Sequence, residues 1–513
     1  MQSALIDFEP NYESAKFPTP RPFQDSAHDK LREGARNGHR CQMLMSPTGS
    51  GKTLLGMRAI HESLLRGKKA IFLCDRTTLI NQTSEVADSY GLTAHSIIQS
   101  GHWRYDLQEK FQIASVQTLA RRSWPDADLI VIDESHTLYK SWTDHIPNCR
   151  AHVIGLSATP FSRGLGKLFT NLINAATMHE LTESGVLVPM RVYSCARPDM
   201  RGAETSGGEW TAGSAAERGM ELIGDVVQEW IKLAENRKTI LFGPTIAYCE
   251  EMCRKFNEAG VMAAVFTSET TDSERKELLN EFRKNNSVLR VLLSVEALAK
   301  GFDVKDVGCV VDCRPLRKSL STAIQMWGRG ARSSPETGKQ DFILLDFSGN
   351  IIRFADDFSD IYYNGLDQLD AGEKLDKTIR KDIDDDDKEP AKCPSCGFSP
   401  CGKRCIACGH EIKKKNIVEH LPGSLCEIKI GKHVVASDHL NLWQQICTYT
   451  KSHGKPETAS GRAFHLYKYI TKKSPDRAWK FCDQPNVVIT QGTHNQIKRN
   501  QIAYINAIKR GVR

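Results

Sequence analysis

Cys41-Gln42-Met43-Leu44-Met45-Ser46-Pro47-Thr48-Gly49-Ser50-Gly51-Lys52-Thr53 decides the fold of this 513-residue chain. An apolar run leads into a glycine-rich turn that ends in Lys-Thr, and residues 53–65 follow with helical spacing. Strand, loop and helix in that order make a phosphate-binding turn. Glycines let backbone N–H groups face the oxygens, and the helix N-terminus adds its positive dipole end. On this reading Ser46, Pro47, Thr48, Gly49, Ser50 and Gly51 cradle the phosphates of a nucleotide. Lys52 neutralises the β and γ oxygens, and Thr53 ligates Mg²⁺. Ser46 replaces the first glycine of G-x-x-x-x-G-K-[ST], and being small it should be tolerated.

The same alternation extends on both sides of the loop. Ala70-Ile71-Phe72-Leu73-Cys74, Gln112-Ile113-Ala114-Ser115, Leu129-Ile130-Val131-Ile132 and His152-Val153-Ile154-Gly155-Leu156 read as buried parallel strands, and 79–90 has helical spacing. Further runs at 239–242, 263–266, 290–293, 308–311 and 342–345 mark a second unit of the same kind. The expected fold is α/β, with two parallel-sheet domains at 1–185 and 186–365. Between them 202–214 reads as a surface loop and 215–236 as a helix. Residues 366–392 end in an acidic run, Asp384-Asp385-Asp386-Asp387, and read as a solvated linker. Length alone favours two or three domains.

Two more segments add chemistry. Asp133-Glu134-Ser135-His136 comes directly after the apolar run 129–132, so its carboxylates sit at the carboxyl end of a strand, where open α/β sheets bind ligands. Asp133 fits a Mg²⁺ partner, and Glu134 a base or orienter for attacking water. In Gln325-Met326-Trp327-Gly328-Arg329-Gly330-Ala331-Arg332 the two arginines are three apart, one face of a helix if helical. They suit γ-phosphate charge presented from a second domain.

Net charge is +7, but 413–513 alone holds 18 Lys+Arg against 6 Asp+Glu. That basic tail points to a polyanion, with Lys498, Arg499, Lys509 and Arg510 as candidate phosphate contacts. Most of its aromatics read as the core of a small α-rich domain, and stacking on unpaired bases is the rival. Of 16 cysteines, eleven are scattered in the manner of buried thiols. Five crowd into 393–408, where Cys393, Cys396, Cys405 and Cys408 form two C-x-x-C pairs. Their spacing suits a four-thiolate Zn²⁺ site in a module at 393–412. Cys401 and His410 are alternative ligands, and a redox pair or an iron–sulfur cluster are rivals. No apolar stretch is long enough for a membrane span and no secretory leader is visible, so a cytoplasmic location is expected.

Together these segments resemble superfamily 2 helicases of the DEAD/DEAH type, most of all the RadD-like group and related phage helicases. The resemblance rests on the phosphate loop, Asp133-Glu134-Ser135-His136, Ser157-Ala158-Thr159, the Gln325–Arg332 segment and the cysteine module that follows. It implies two RecA-like domains, ATP as cofactor, and roles that spacing alone would not assign. Arg21 and Gln24 would recognise adenine. Arg76, Gln117 and Thr118 would touch a nucleic-acid strand. His136, Ser157 and Thr159 would couple hydrolysis to domain movement, and Gly301 and Asp303 would bind nucleotide. The implied activity is ATP-dependent translocation on nucleic acid or its unwinding, DNA favoured over RNA. The rivals are a duplex translocase of a restriction-type assembly and a nucleotide-switched adaptor. A single-strand-binding or repair protein docking on the zinc module is the expected protein partner.

Overall fold

The computed structural model describes residues 12–194 apart from 76 and 100, and 225–369 apart from 268–269 and 296–303. It also describes short pieces between 205 and 223 and parts of 375–497, chiefly 439–453 and 456–471. The first sheet is built from β1 (Cys41–Met45), β2 (Ala70–Cys74), β3 (Ser96–Ile98), β4 (Phe111–Ser115), β5 (Leu129–Ile132), β6 (His152–Ser157) and β7 (Asn171–Asn174). Their order is β3-β4-β2-β5-β6-β1-β7, and every pair is parallel. β1, β2, β4 and β5 are buried along their whole length. A parallel sheet covered on both faces favours mostly apolar strands, and the buried Gln42 and Gln112 amides donate to the Leu31, Asp106 and Glu109 carbonyls. Helices α1 (Pro22–Arg36), α2 (Lys52–Leu65) and α3 (Thr77–Ser89) flank the sheet. Because all seven strands run the same way, the loops after β1, β2, β4, β5 and β6 gather on one edge.

The second sheet is drawn from a longer stretch of chain. In order come β8 (Met190–Ser194), the short pair β9 (Thr205–Ser206) and β10 (Glu209–Trp210), β11 (Leu222–Ile223), β12 (Thr239–Phe242), β13 (Ala263–Val265), β14 (Val291–Ser294), β15 (Cys309–Asp312), β16 (Phe342–Asp346), β17 (His420–Leu421) and β18 (Cys426–Ile428). The sheet runs β13-β14-β12-β15-β16-β8-β18, and β11 pairs with β17 apart from it. β18 comes from beyond residue 412, in the region that the sequence assigns to the tail. Residues 366 and 369 also pack inward: Leu366 and Leu369 are buried, and Asn174 Nδ2 donates to the Leu366 carbonyl at 2.8 Å.

Two local expectations fail. The helix expected over 215–236 is described only as Val226–Leu233, because β11 precedes it and Asp225 caps it. The Asp225 carboxylate accepts from the Val227 and Gln228 N–H groups at 2.9 and 3.2 Å, which fixes the helix start. The segment 202–214, expected as a loop, contains the antiparallel pair β9–β10.

The stretch 428–513 forms a separate compact unit. Helices His439–Ser452 and Ala459–Thr471 share a core of Leu442, Trp443, Ile446, Cys447, Ala463 and Tyr467. Trp443, Tyr449 and Tyr467 are therefore core residues, while Phe464 is exposed. Lys498, Arg499, Lys509 and Arg510 lie outside the described residues, as do Arg76, Gly301, Asp303, Cys393, Cys396 and Cys405. Cys408 is described and exposed. Among the described residues no cluster of three metal-ligating side chains occurs, and no described helix is long and apolar enough to cross a membrane.

Candidate nucleotide site between two domains

The phosphate loop joins β1 to α2. Gly49 and Gly51 hold φ of +90° and +91°, left-handed backbone that a side chain would strain. Ser46, where the motif has glycine, turns its hydroxyl to use: Oγ lies 2.6 Å from Ser50 Oγ, which donates to the Pro47 carbonyl at 2.5 Å. The substitution is not merely tolerated, since it braces the loop from inside. Gln24 braces it from outside. Its Nε2 donates to the Ser50 carbonyl at 2.9 Å and its Oε1 accepts from the Arg21 N–H at 2.9 Å. The resemblance gives Gln24 to adenine; here its buried amide spans loop and helix start.

The carboxylates follow β5. Asp133 Oδ1 accepts from the Glu134 N–H at 3.0 Å, and burial, then the Glu134 charge, push Asp133 up to about 7, with Lys52 opposing. Glu134 itself has φ of +47°, a left-handed conformation that costs a non-glycine residue roughly 1–2 kcal/mol. The turn aims its carboxylate back at the loop: Lys52 Nζ lies 3.3 Å from Oε1. The other oxygen, Oε2, lies 3.2 Å from His136 Nδ1.

His136 carries the connection across to the second domain. The Gln325 amide nitrogen can only donate, so Nε2 accepts from it at 3.2 Å and Nδ1 bears the proton. The same Gln325 amide donates to Thr159 Oγ1 at 3.3 Å, and Thr159 Oγ1 lies 2.8 Å from Ser321 Oγ. Ser157 Oγ sits 3.0 Å from His136 Nδ1 and accepts from the Thr159 N–H at 3.0 Å. An unbroken polar chain thus runs from the phosphate lysine through Glu134, His136 and Gln325 to Thr159 and Ser321.

The arginines reach the loop, though not as a helix face. The helix Leu320–Trp327 ends at Gly328, and the Arg329 and Gly330 N–H groups close turns onto Met326 and Trp327. Gly330 is required there, since a Cβ would lie 2.3 Å from Phe342 Cδ2. Arg329 is buried in the turn, while Arg332 continues in extended form and bridges Leu187. A Cβ on Gly49 would lie 3.0 Å from Arg332 Cγ, and one on Gly328 would lie 3.1 Å from Thr48 Cβ. Arg332 therefore rests on the phosphate loop itself.

Sequence reading missed the groups that hold this segment. The Glu209 carboxylate, from β10, accepts from the N–H groups of Arg317, Lys318 and Ser319 at 2.7, 2.6 and 2.6 Å. An anion there suits the start of the helix. Trp327 Nε1 donates to Asp312 Oδ2 at 3.0 Å, and Asn350 Nδ2 to the same oxygen at 3.0 Å. In the first domain Gln117 Nε2 donates to the Asp75 carbonyl at 2.8 Å, and Thr118 Oγ1 lies 2.8 Å from Ser115 Oγ. The candidate strand contact Gln117, after β4, thus lies beside the end of β2.

Comparison with known proteins agrees with this geometry. The family model described as "Type III restriction enzyme, res subunit" matches residues 17–162, and "Helicase conserved C-terminal domain" matches 221–334. The chain belongs to helicase superfamily 2. This helicase core is 26% identical over 385 residues to a 51.5 kDa protein of Lactococcus phage (isolate 7-9), covering 72% of this chain and 78% of that one. It is 26% identical over 364 residues to a Saccharomyces cerevisiae protein assigned as ATP-dependent helicase IRC3, covering 65% of this chain. The match spans about half, 52%, of that yeast relative. Among solved structures, a fragment assigned as the HsdR subunit of a type I restriction enzyme from Vibrio vulnificus YJ016 superposes with a TM-score of 0.54. Identity there is 21%, over 69% of this chain and 68% of that one, which establishes the shared fold of the helicase core.

Proposed function

We propose that this chain hydrolyses ATP in the cleft between its two domains and uses the cycle to move along DNA. The observation that carries the reading is Arg332 lying against Gly49 while Gln325 bonds His136. One nucleotide pocket is assembled from both domains, so binding and hydrolysis bear on how the domains meet. Lys52 and Arg332 meet phosphate charge, and Glu134 orients or deprotonates the attacking water. Thr53 and Asp133 offer hydroxyl and carboxylate oxygens, the donors Mg²⁺ prefers. Burial and the Glu134 charge raise the Asp133 carboxyl, and a bound cation would favour its ionised form. When bound, the ion would neutralise phosphate charge. The chain from His136 to Ser321 would report the state of Glu134 to the second domain. Arg76, Gln117 and Thr118 would grip the strand, and the basic tail would add contacts independent of base sequence. The two C-x-x-C pairs are proposed to fold a zinc module that docks a partner, on the strength of their spacing.

The restriction-enzyme family model over 17–162 favours one second reading, translocation on duplex DNA without separating it. ATP turnover measured with single-stranded DNA, duplex DNA and RNA, alongside strand displacement from substrates with opposite overhangs, separates the two. Stimulation by single strands with displacement supports unwinding. Stimulation by duplex without displacement supports the second reading, and stimulation by neither DNA form overturns both.

A further inference from the structure

We propose that Lys339 is the positioning residue of the arginine segment: its ammonium holds the backbone of 330–332 in the shape that lays Arg332 on the phosphate loop. The inference rests on the reading that Arg332 serves ATP hydrolysis. Lys339 lies beyond the turn Pro335–Thr337, just before β16. Its Nζ donates to the Gly330 carbonyl at 2.6 Å, the Arg332 carbonyl at 2.8 Å and the Lys305 carbonyl at 3.2 Å.

Three acceptors match the three N–H donors of an ammonium; a neutral amine would leave one carbonyl facing a lone pair. Asp306, the carboxylate in the adjoining turn, is bound to Lys238 instead. Protonated, Lys339 is a cation solvated by main-chain oxygen. Burial, with Arg332 and Arg237 nearby, lowers it to about 7 in spite of Asp306 and Asp341. A charge kept in so unfavourable a place is expected to serve the geometry around it. Besides Lys339, the connector holds this geometry, with the Val188 N–H donating to the Ala331 carbonyl at 2.8 Å. Between Gly328 and the Leu187–Arg332 bridge the segment carries two glycines and no helix or strand of its own. The two carbonyls that Lys339 binds belong to Gly330 and to Arg332 itself, and the third ties the segment to the turn that leads into β15.

The test is a double-mutant cycle on the full chain, with DNA-stimulated turnover as the readout. K339M should lower kcat roughly 10- to 100-fold, the cost of a reacting group displaced by about 1 Å, and leave KM for ATP within about twofold. In an R332A background it should cost almost nothing more. Equal loss in both backgrounds, or a K339M kcat within about twofold of wild type, overturns the proposal. Should K339M not fold, K339Q takes its place in the cycle, and the same two outcomes overturn the proposal. Amide hydrogen exchange gives a readout free of the motor reading: K339M should speed exchange across 329–333 and leave 246–258 unchanged. Unaltered exchange at 329–333 refutes the positioning whatever the turnover. A wild type with no turnover on any nucleic acid refutes the motor reading instead.

Discussion

The two sheets have the same strand count and the same trick of ending strands in aspartate, yet they put those carboxylates to opposite use. In the first domain Asp133 and Glu134 follow β5 and face Lys52 and the phosphate loop. In the second, Asp312 ends β15 and Asp346 ends β16 in register with it. Both are sealed from solvent. Asp346 accepts from the Ser348, Asn350 and Ile351 N–H groups and the Ser194 and Ser348 hydroxyls. Asp312 binds Trp327 and Asn350. In the proposed function one sheet keeps its carboxylates for a ligand, while the other uses its own on the helix that precedes the arginines. Function in a repeated architecture lies in what the strand ends face.

The comparison can be broken at several points. Removing the arginine that crosses from one sheet to the other should do most. R332A should lower DNA-stimulated kcat by about 10³–10⁵-fold with ATP still bound, as measured by steady-state turnover and nucleotide titration. K52A, on the open side, should cost roughly 10²–10³-fold in turnover and leave DNA affinity of the tail intact in a filter-binding or anisotropy titration. If DNA affinity fell equally, the division of labour between core and tail would be wrong.

The closed side answers to pH. Burial and then the Asp346 charge raise Asp312 from 3.8 to about 7. A folded value above the unfolded one means that its protonated contribution is complete below about pH 4 and is lost as pH rises through about 7. D312N should therefore destabilise the second domain by about 1–3 kcal/mol at pH 5, and the deficit should shrink by pH 8 in urea melts. A deficit that stayed constant would show that the pair is not holding a proton. Smallest is the seam: S321A, which removes the partner of Thr159, should cost about 1 kcal/mol. We expect it as fewer strands displaced per ATP, with ATP turnover little changed.

What could be read from the sequence divides along the same line. The phosphate loop and the Asp133–Glu134 pair were legible because apolar runs and glycine spacing are local signals, and the α/β alternation follows from them. The Asp312 and Asp346 anchors carry the same local signature, Val-Val-Asp and Leu-Leu-Asp, and could have been found by asking which other strands end in aspartate. Glu209 and Lys339 could not. Their partners lie in the turn before one helix and the segment after it, and no spacing records that. The helical pairing expected of Arg329 and Arg332 failed because Gly330, fitted against Phe342, breaks the periodicity between them.

The connector between the domains, at 186–188, is itself stitched to the arginine segment. Val188 N–H donates to the Ala331 carbonyl at 2.8 Å, Leu187 bridges Arg332, and Ser333 Oγ donates to the Val186 carbonyl at 3.0 Å. The crossing of the chain and the arginines proposed to meet the phosphates lie on one ribbon. While that ribbon holds, the lobes can part only by swinging about it, so the guanidinium groups travel least and the far rims of the cleft travel most. Small shifts beside the terminal phosphate would then appear as long strokes at the track.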